Sequence, residues 1–145
     1  MTPVRVLQVM PAMDAGGMET FVMNIYRTID RDKVQFDFLY HYDKPCFFDR
    51  EITALGGRIT KLTVRQDNSV PRYLSALDRL FLEHPEYKIL HGHYSGFGMF
   101  YNAAAKRRGV PVRVRPQFAE VLRASEEQDR LAEDLMRRAA DRAPA

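Results

Sequence analysis

The chain has little cysteine: Cys46 is the single one among 145 residues. One thiol cannot form a disulfide within the chain, and Cys46 lacks the neighbouring ligands of a metal site. We therefore expect a buried or half-buried thiol that packs like a small apolar side chain. The sequence also lacks a run of about 20 apolar residues, which a membrane-spanning helix requires. It shows no secretory signal at its start, so we expect a cytoplasmic location.

Positive charges outnumber negative charges only slightly, and the formal net charge is +3 at pH 7. Such an excess suits an anionic substrate or an anionic membrane surface, and it does not indicate nucleic acid as a partner. The apolar share of 46% and the charged share of 28% are typical of a soluble globular protein. At this length we expect one domain with its own core.

The sequence does contain a regular alternation of apolar and amphipathic segments. We predict strands over residues 4–10, 34–41, 58–62, 88–91 and 110–114. We predict helices over 18–29, over 48–55, around 73–81 and over 97–108. Such alternation predicts an α/β fold, a Rossmann-like parallel sheet with helices on both faces and right-handed crossovers. Ligands of such sheets bind beyond the carboxyl ends of the strands.

Two of the predicted helices differ in how their apolar residues are placed. The first helix has six on one face, which we expect to pack against the sheet. They are Met18, Phe21, Val22, Ile25, Tyr26 and Ile29. The last segment, Phe118–Arg142, is charged and has only a thin apolar stripe. This pattern predicts a helix that is solvated or that binds a partner. We therefore divide the chain into a domain over residues 1–114 and a divergent charged helical tail over 115–145.

A glycine pair, Gly16–Gly17, ends the turn after the first strand and opens the first helix. Glycine lets the backbone approach a ligand closely, and the free N–H groups of a helix's first turn attract anions. This geometry favours a nucleotide or a phosphorylated sugar as ligand. The spacing matches neither GxGxxG nor GxxxxGK[ST], and glycines here can also serve tight strand-to-helix packing alone. Both roles stay open.

Two histidines, His91 and His93, fall at the carboxyl end of the fourth strand. Because this end shares an edge of the sheet with the Gly16–Gly17 turn, the two can face one crevice. We assign His91 to the strand end and to packing, and His41 and His84 to the surface or to strand ends. No cysteine or carboxylate cluster accompanies His91 and His93, so we expect no metal.

Several short segments, taken in order, resemble the amino-terminal half of family 4 glycosyltransferases. They are Val6–Pro11, Asp14–Asn24, Phe36–Phe38, Leu55–Gly57, His91–His93 and Gly109–Arg113. The resemblance covers about residues 4–114. It implies one half of a GT-B fold, in which two Rossmann-like domains face each other across a cleft. Such enzymes transfer a sugar from a nucleotide-sugar with retention of anomeric configuration and no obligatory metal, and the amino-terminal half mainly holds the acceptor.

The resemblance implies roles for four residues. Gly16 and Gly17 would lie near the donor diphosphate or the transferred sugar, where a positive helix end stabilises a departing nucleoside diphosphate. Glu19 resembles the family's acidic residue after the glycines, and a surface charge that complements the helix dipole explains it equally well. His93 resembles the family's histidine just past the fourth strand. It could accept a hydrogen bond from a sugar hydroxyl or help deprotonate an acceptor, and a structural hydrogen bond is the alternative.

The chain departs from the family's pattern in two respects. After the fifth strand the family continues with a small residue and His-Ser, where this chain has Val114–Phe118; a frameshift is one hypothesis that explains the difference. The domain that holds most of the nucleotide-sugar is not among these residues. We therefore expect the acceptor-side domain of a transferase that assembles polysaccharide or glycolipid, seen as a fragment or truncated product and inactive alone. Its ligands would be a nucleotide-sugar and a glycan or lipid-linked acceptor.

Two alternatives stay open. The first is a non-catalytic acceptor-binding subunit that docks on a separate donor-binding domain, as in split glycosyltransferases. The second is another Rossmann-like nucleotide-dependent enzyme such as a dehydrogenase, although the GxGxxG turn is lacking. A peripheral membrane contact through Lys106, Arg107 and Arg108 is a further hypothesis. Cations at the negative end of a helix explain these three residues equally well.

Overall fold

The computed structural model describes residues 2–63, 69–94 and 97–115, and the predicted helix over 118–142 lies outside them. The strands are β1 (Val4–Met10), β2 (Val34–Tyr40), β3 (Ile59–Lys61), β4 (Tyr87–Gly92) and β5 (Val112–Val114). The helices are α1 (Gly17–Thr28), α2 (Asp49–Ala54), α3 (Val70–Glu83) and α4 (Gly98–Arg107). All pairings are parallel, in the order β3-β2-β1-β4-β5. The predicted α/β fold is confirmed.

The central strands are buried on both faces, which is why their sequences are apolar almost throughout. Alternate residues of β1 divide between two layers of core. Val6 and Met10 pack with residues of α1 and α2. Leu7 and Val9 pack with residues of α3 and α4. Each pair of helices thus covers one face, as right-handed crossovers in the two directions from β1 require.

The strand order reverses at β1. The chain passes from β1 to β2 on one side, and it later returns to place β4 on the other side. Loops that follow the two strands therefore leave in opposite directions and open a crevice between the carboxyl ends of β1 and β4. The described residues at this crevice belong to the loop between β1 and α1 and to the first residues after β4.

Helix α1 buries a narrower face than its apolar pattern predicts. Its buried residues are Val22, Met23 and Tyr26. Phe21 and Ile25 are 58% and 38% exposed, so the prediction that they pack against the sheet is wrong. Arg27 of α1 pairs with Glu51 of α2, which shows that the Arg27 flank faces α2. The opposite flank, which carries Phe21 and Ile25, therefore faces away from α2.

A buried carboxylate, Asp37, lies in the middle of β2, away from the crevice at the carboxyl ends of the strands. Asp37 is 1% exposed, and its Oδ2 accepts hydrogen bonds from Arg5 Nε at 3.1 Å and Arg58 Nη2 at 2.8 Å. Its Oδ1 accepts from the backbone N–H of Arg58 at 2.9 Å. A buried carboxylate is tolerated only when it is paired and hydrogen-bonded in this way. Asp37 therefore serves the fold, although it belongs to one of the segments that resemble the family.

The basic end of α4 is tied to α3. Arg107 Nη2 and Arg108 Nε donate to Asp78 Oδ1 at 2.9 Å and 2.8 Å, and the hydrogen bond from Arg108 lowers the pKa of Asp78 to about 2. Two of the three cations that suggested a membrane contact thus pair with a neighbouring helix. None of the described helices combines the length and the apolar character needed to cross a membrane.

Candidate functional site

The loop after β1 brings the glycine pair to the crevice and begins α1 there. Gly16 is the N-cap residue, with φ of −90° and ψ of 174°, and its carbonyl accepts a hydrogen bond from the Thr20 N–H at 3.0 Å. The positive φ angles found among the described glycines belong to Gly56 and Gly109. The backbone conformation at Gly16 and Gly17 therefore does not require glycine.

Space, rather than conformation, distinguishes Gly17. A Cβ added to Gly17 would meet no atom within 4 Å, so this residue borders open space at the start of α1. Tight packing against a strand is therefore not what Gly17 provides. A backbone left bare at the positive end of a helix is the arrangement that a bound anion uses.

Glu19 lies in the first turn of α1. Its carboxylate lies so close to Gly16 that a Cβ added to Gly16 would clash with it. A negative charge there complements the positive end of the helix dipole. The same position sets the carboxylate beside the N–H groups that an anionic ligand would approach. Glu19 and such a ligand would therefore compete for one positive field.

His93 follows β4 and is fastened to β1. Its backbone N–H donates to the Val9 carbonyl at 2.8 Å, and its ring Nε2 lies 2.8 Å from Oε1 of Gln8, which is 2% exposed. An amide oxygen only accepts, so a hydrogen bond between these two atoms requires a proton on Nε2. The other ring nitrogen, Nδ1, has no hydrogen-bond partner among the residues described here.

His91 lies in β4, as predicted, opposite Gln8 in β1. The rings of His91 and His93 are 4.0 Å apart between centroids. Burial lowers the pKa of His91, and burial together with the charge of His91 lowers the pKa of His93 to about 4. Both imidazoles are therefore neutral at pH 7. Within the described ranges, no three His, Cys, Asp or Glu side chains lie close enough to hold a metal ion.

Of the two positions predicted for His41, surface or strand end, the structure shows the strand end: His41 directly follows β2 and is 1% exposed. Its Nδ1 lies 3.0 Å from the Met10 carbonyl oxygen, and its Nε2 lies 2.6 Å from the Tyr73 hydroxyl. A carbonyl only accepts, so Nδ1 donates and Nε2 accepts from Tyr73. Burial lowers the pKa of His41 to about 4. His84, at the end of α3, is partly exposed.

Aromatic rings pack around His41 at the carboxyl end of β2. The ring centroids of Tyr94 and Tyr101 lie 4.7 Å and 6.3 Å from that of His41. Tyr101 also donates to the Tyr94 carbonyl at 2.7 Å. A Cβ on Gly92 would come within 2.5 Å of the Tyr101 hydroxyl oxygen, so this close approach needs glycine at position 92. The packing fixes where the loop after β4 begins, and hence where His93 lies.

The loop after β2 lies against the glycine turn. Asp14 accepts hydrogen bonds from Lys44 Nζ at 2.5 Å and from the Phe47 backbone N–H at 3.2 Å. The hydrogen bond from Lys44 lowers the pKa of Asp14. Phe47 leaves its ring 71% exposed beside the turn, whereas Cys46 is partly buried, as predicted. The turn that presents Gly16 and Gly17 is thus braced from the side of β2.

The same edge of the sheet carries a pocket of ≈ 190 Å³ at the end of β3. Lys61 and Arg72 line it, together with Ser69, whose hydroxyl caps α3. Tyr73 also contributes to its wall. Because Tyr73 also contacts His41, the pocket and the aromatic cluster around His41 share one residue.

Sequence reasoning missed Gln8. The signal was available, because Gln8 is an uncharged polar residue within an apolar strand that the sheet buries on both faces. A buried polar side chain needs a hydrogen-bond partner. That requirement predicts a polar partner for Gln8 without naming it, and the structure shows that the partner is His93, just past the end of β4.

Comparison with known proteins shows the class that this fold and crevice belong to. Residues 16–145 match the family model described as a glycosyl transferase 4-like domain, and the chain belongs to that family. It is 40% identical over 111 residues to the protein named "Putative glycosyltransferase EpsF" of Bacillus subtilis (strain 168). That alignment covers 76% of this chain and 29% of EpsF, so the chain spans less than a third of this relative. No solved structure gives a significant match.

The family predicted from short sequence segments is thereby confirmed, and the dehydrogenase alternative loses its support. The family match runs through residues 116–145, which the structure does not describe. The boundary at residue 114 and the frameshift hypothesis stay predictions. So do the binding roles of Gly16, Gly17 and Glu19 and the catalytic role of His93.

Proposed function

We propose that this chain is the acceptor-side domain of a retaining glycosyltransferase, which transfers a sugar from a nucleotide-sugar to a glycan or lipid-linked acceptor. One observation carries the proposal. The start of α1 at Gly16–Gly17 and the imidazole of His93 flank the same strand-order reversal, at the carboxyl ends of β1 and β4. Ligands of parallel α/β sheets bind at this place. The family supplies the class of reaction.

The glycine turn supports the donor side of the proposal. When a sugar leaves a nucleotide-sugar, negative charge grows on the departing diphosphate. The bare N–H groups beside Gly17 and the positive helix end are already oriented toward such a charge, so they stabilise it without rearrangement. This device needs no metal ion, and we expect none.

His93 supports the acceptor side. Its Nδ1 is an unprotonated acceptor at pH 7, which suits a hydrogen bond from a sugar hydroxyl. General bases work best when their pKa lies near the working pH, and burial places the pKa of His93 at about 4. We therefore assign His93 to orienting a hydroxyl, and not to removing its proton.

Transfer also needs a donor-binding domain that faces this crevice. The chain spans 29% of EpsF, and we propose that the donor domain lies outside these 145 residues, in the same polypeptide. A separately encoded donor subunit is the second candidate, which a copurifying partner would support. In either case the isolated chain is inactive. We place the assembled enzyme in the cytoplasm, at the inner face of the membrane when its acceptor is lipid-linked.

The proposal is tested by NMR titration of the ¹⁵N-labelled 145-residue chain with a panel of nucleotide-sugars and with free nucleoside diphosphates. We expect saturable shifts of the backbone amide signals of Gly16, Gly17 and Met18, with the signal of Asp78 at the α3–α4 contact unchanged. Titration with acceptor glycans is expected to move the His93 signals. Shifts confined to residues away from the crevice would contradict the proposal. Sugar transfer by the isolated chain would contradict the assigned need for a donor domain.

A further inference from the structure

Gln8 is a buried polar residue whose presence the crevice described so far does not explain. It lies in the middle of β1, between Phe38 of β2 and His91 of β4. Its flanking residues in the strand, Leu7 and Val9, are fully buried. An apolar side chain would satisfy the packing at this position without the cost of burying an amide. The reason for a polar group must therefore lie in its hydrogen-bond partner.

That partner is His93. The two side chains are 85 residues apart in sequence, and their atoms Oε1 and Nε2 lie 2.8 Å apart. The backbone N–H of His93 is fixed in addition to the Val9 carbonyl at 2.8 Å. Two consecutive residues of β1 thus hold one histidine, by its main chain and by its ring.

The bond to the ring selects one of two tautomers. A neutral imidazole carries one proton, on Nδ1 or on Nε2, and the hydrogen bond made by one nitrogen decides the state of the other. Gln8 offers an oxygen that only accepts, so the proton is drawn to Nε2 and the lone pair is left on Nδ1. We propose that Gln8 is a positioning residue, which holds His93 as the Nε2–H tautomer so that Nδ1 accepts a hydrogen bond at the crevice.

The selected tautomer defines what His93 can recognise. An acceptor nitrogen binds a hydroxyl or another N–H or O–H donor, and it offers nothing to an ether or a carboxylate oxygen. The assignment of that donor to a sugar hydroxyl rests on the proposed function. The tautomer itself does not depend on it.

The test is an NMR measurement of the ring nitrogens in the ¹⁵N-labelled 145-residue chain at neutral pH. The ¹⁵N shifts of an N–H and of a bare ring nitrogen differ, and the signals of His93 are assigned by their loss in His93→Asn. We expect His93 to be overwhelmingly the Nε2–H form. A dominant Nδ1–H form would overturn the proposal, because Gln8 would then be donating through its amide nitrogen.

Gln8→Leu removes the acceptor and keeps a side chain of similar size. We expect the ratio of Nε2–H to Nδ1–H in His93 to fall by about fivefold to tenfold, the loss that one hydrogen bond predicts. Gln35→Leu is the matched control. Gln35 is also buried, in β2, but it bonds to Tyr26 and to the Leu55 carbonyl. An unchanged ratio in Gln8→Leu would overturn the proposal.

Gln8→Glu keeps the test decisive if Gln8→Leu does not fold. A carboxylate still accepts from Nε2, so the tautomer is expected to persist. Its negative charge favours the protonated ring and should raise the pKa of His93, because an opposite charge stabilises the charged form. His91 is the titratable neighbour that also faces the ring, and its own titration is followed in the same spectra. A variant in which the pKa of His93 does not move would count against contact between the two side chains.

The outcome is separable from that of the ligand titration. A chain with the expected tautomer that binds neither nucleotide-sugar nor glycan would keep Gln8 as a positioning residue and refute the proposed function. A chain that binds its ligands with His93 in the Nδ1–H form would support the proposed function and refute the role of Gln8 as a positioning residue.

Discussion

The Tyr73 hydroxyl donates a hydrogen bond to Nε2 of His41 across 2.6 Å and joins α3 to the carboxyl end of β2. The other ring nitrogen of His41 donates to the carbonyl of Met10, the last residue of β1. One buried imidazole thus connects two strands and a helix at the carboxyl ends of β1 and β2. The connection requires a neutral ring, because Nε2 must keep its lone pair to accept from Tyr73.

We predict that acid destabilises the fold through His41. Burial lowers its pKa from the ordinary value of 6.5 to about 4. Between pH 6.5 and pH 4, His41 is protonated in the unfolded chain but not in the native chain. The free energy of unfolding therefore falls as the pH falls. The stability that the neutral His41 ring contributes is fully present above pH 6.5. About 3 kcal/mol of this stability is lost when the pH has fallen to 4.

Urea unfolding of the wild type and of His41→Gln at several pH values measures this contribution. The variant is expected to be less stable at neutral pH and to lose less stability on acidification. Ala103→Gln, at an exposed and uncharged position of α4, is the control and should keep the pH dependence of the wild type. Equal pH dependence in His41→Gln and the wild type would show that the ring is not held neutral by the fold.

We predict that Asp37→Asn destabilises the fold strongly. The substitution keeps the shape of the side chain. It removes the buried negative charge that pairs with Arg5 and Arg58. Breaking a buried ion pair costs about 3 kcal/mol. Thermal and urea unfolding measure the loss. Glu51→Gln breaks the exposed pair with Arg27 and serves as control, with little change expected; equal losses in the two variants would contradict the structural role of Asp37.

The alternation of strands and helices was predictable because each segment's period is a local property of the sequence. Every described strand lies within two residues of its predicted bounds. The largest difference concerns Val110, which the apolar pattern places in the fifth strand. Its N–H instead bonds to the Ala105 carbonyl and closes the end of α4, so β5 begins at Val112. A hydrogen bond across a helix end cannot be seen in an apolar pattern.

The exposure of Phe21 and the deep burial of His41 have one cause, which is that burial depends on the neighbouring elements. The exposure of Phe21 follows from the side on which α2 packs, and the burial of His41 follows from the aromatic residues of α3 and α4. Neither neighbour is close in sequence. The crevice itself was predictable, because the Gly16–Gly17 turn and His93 both follow strands. The link from Gln8 to His93 was not, because it requires the order of the strands.

We predict that Glu19→Gln strengthens the binding of free nucleoside diphosphates. The carboxylate of Glu19 lies at the start of α1, where it repels an anion that approaches the same N–H groups. Removing its charge should tighten binding by about twofold to fivefold at low ionic strength and lower the free energy of unfolding by about 0.5 kcal/mol. Isothermal titration calorimetry and urea unfolding measure the two effects.

Glu83→Gln, at the far end of α3, is the control for Glu19→Gln and should leave binding unchanged. Weaker binding of a nucleotide-sugar to Glu19→Gln, together with stronger binding of the free diphosphate, would indicate that the carboxylate contacts the sugar. Weaker binding of both would contradict the competition between Glu19 and the ligand.

We predict that Gly17→Ala separates binding from stability. Its added methyl meets no atom within 4 Å, so the fold should accept it, and alanine favours a helix over glycine by up to about 1 kcal/mol. The same methyl enters the open space before α1, where a diphosphate would need close approach to the backbone, and should weaken binding at least about tenfold. Asn24→Ala, exposed and two turns along the helix, is the matched control. If Gly17→Ala is as stable as the wild type and binds nucleotide-sugars equally well, the space beside Gly17 is not a ligand site and the glycine turn has no part in the reaction.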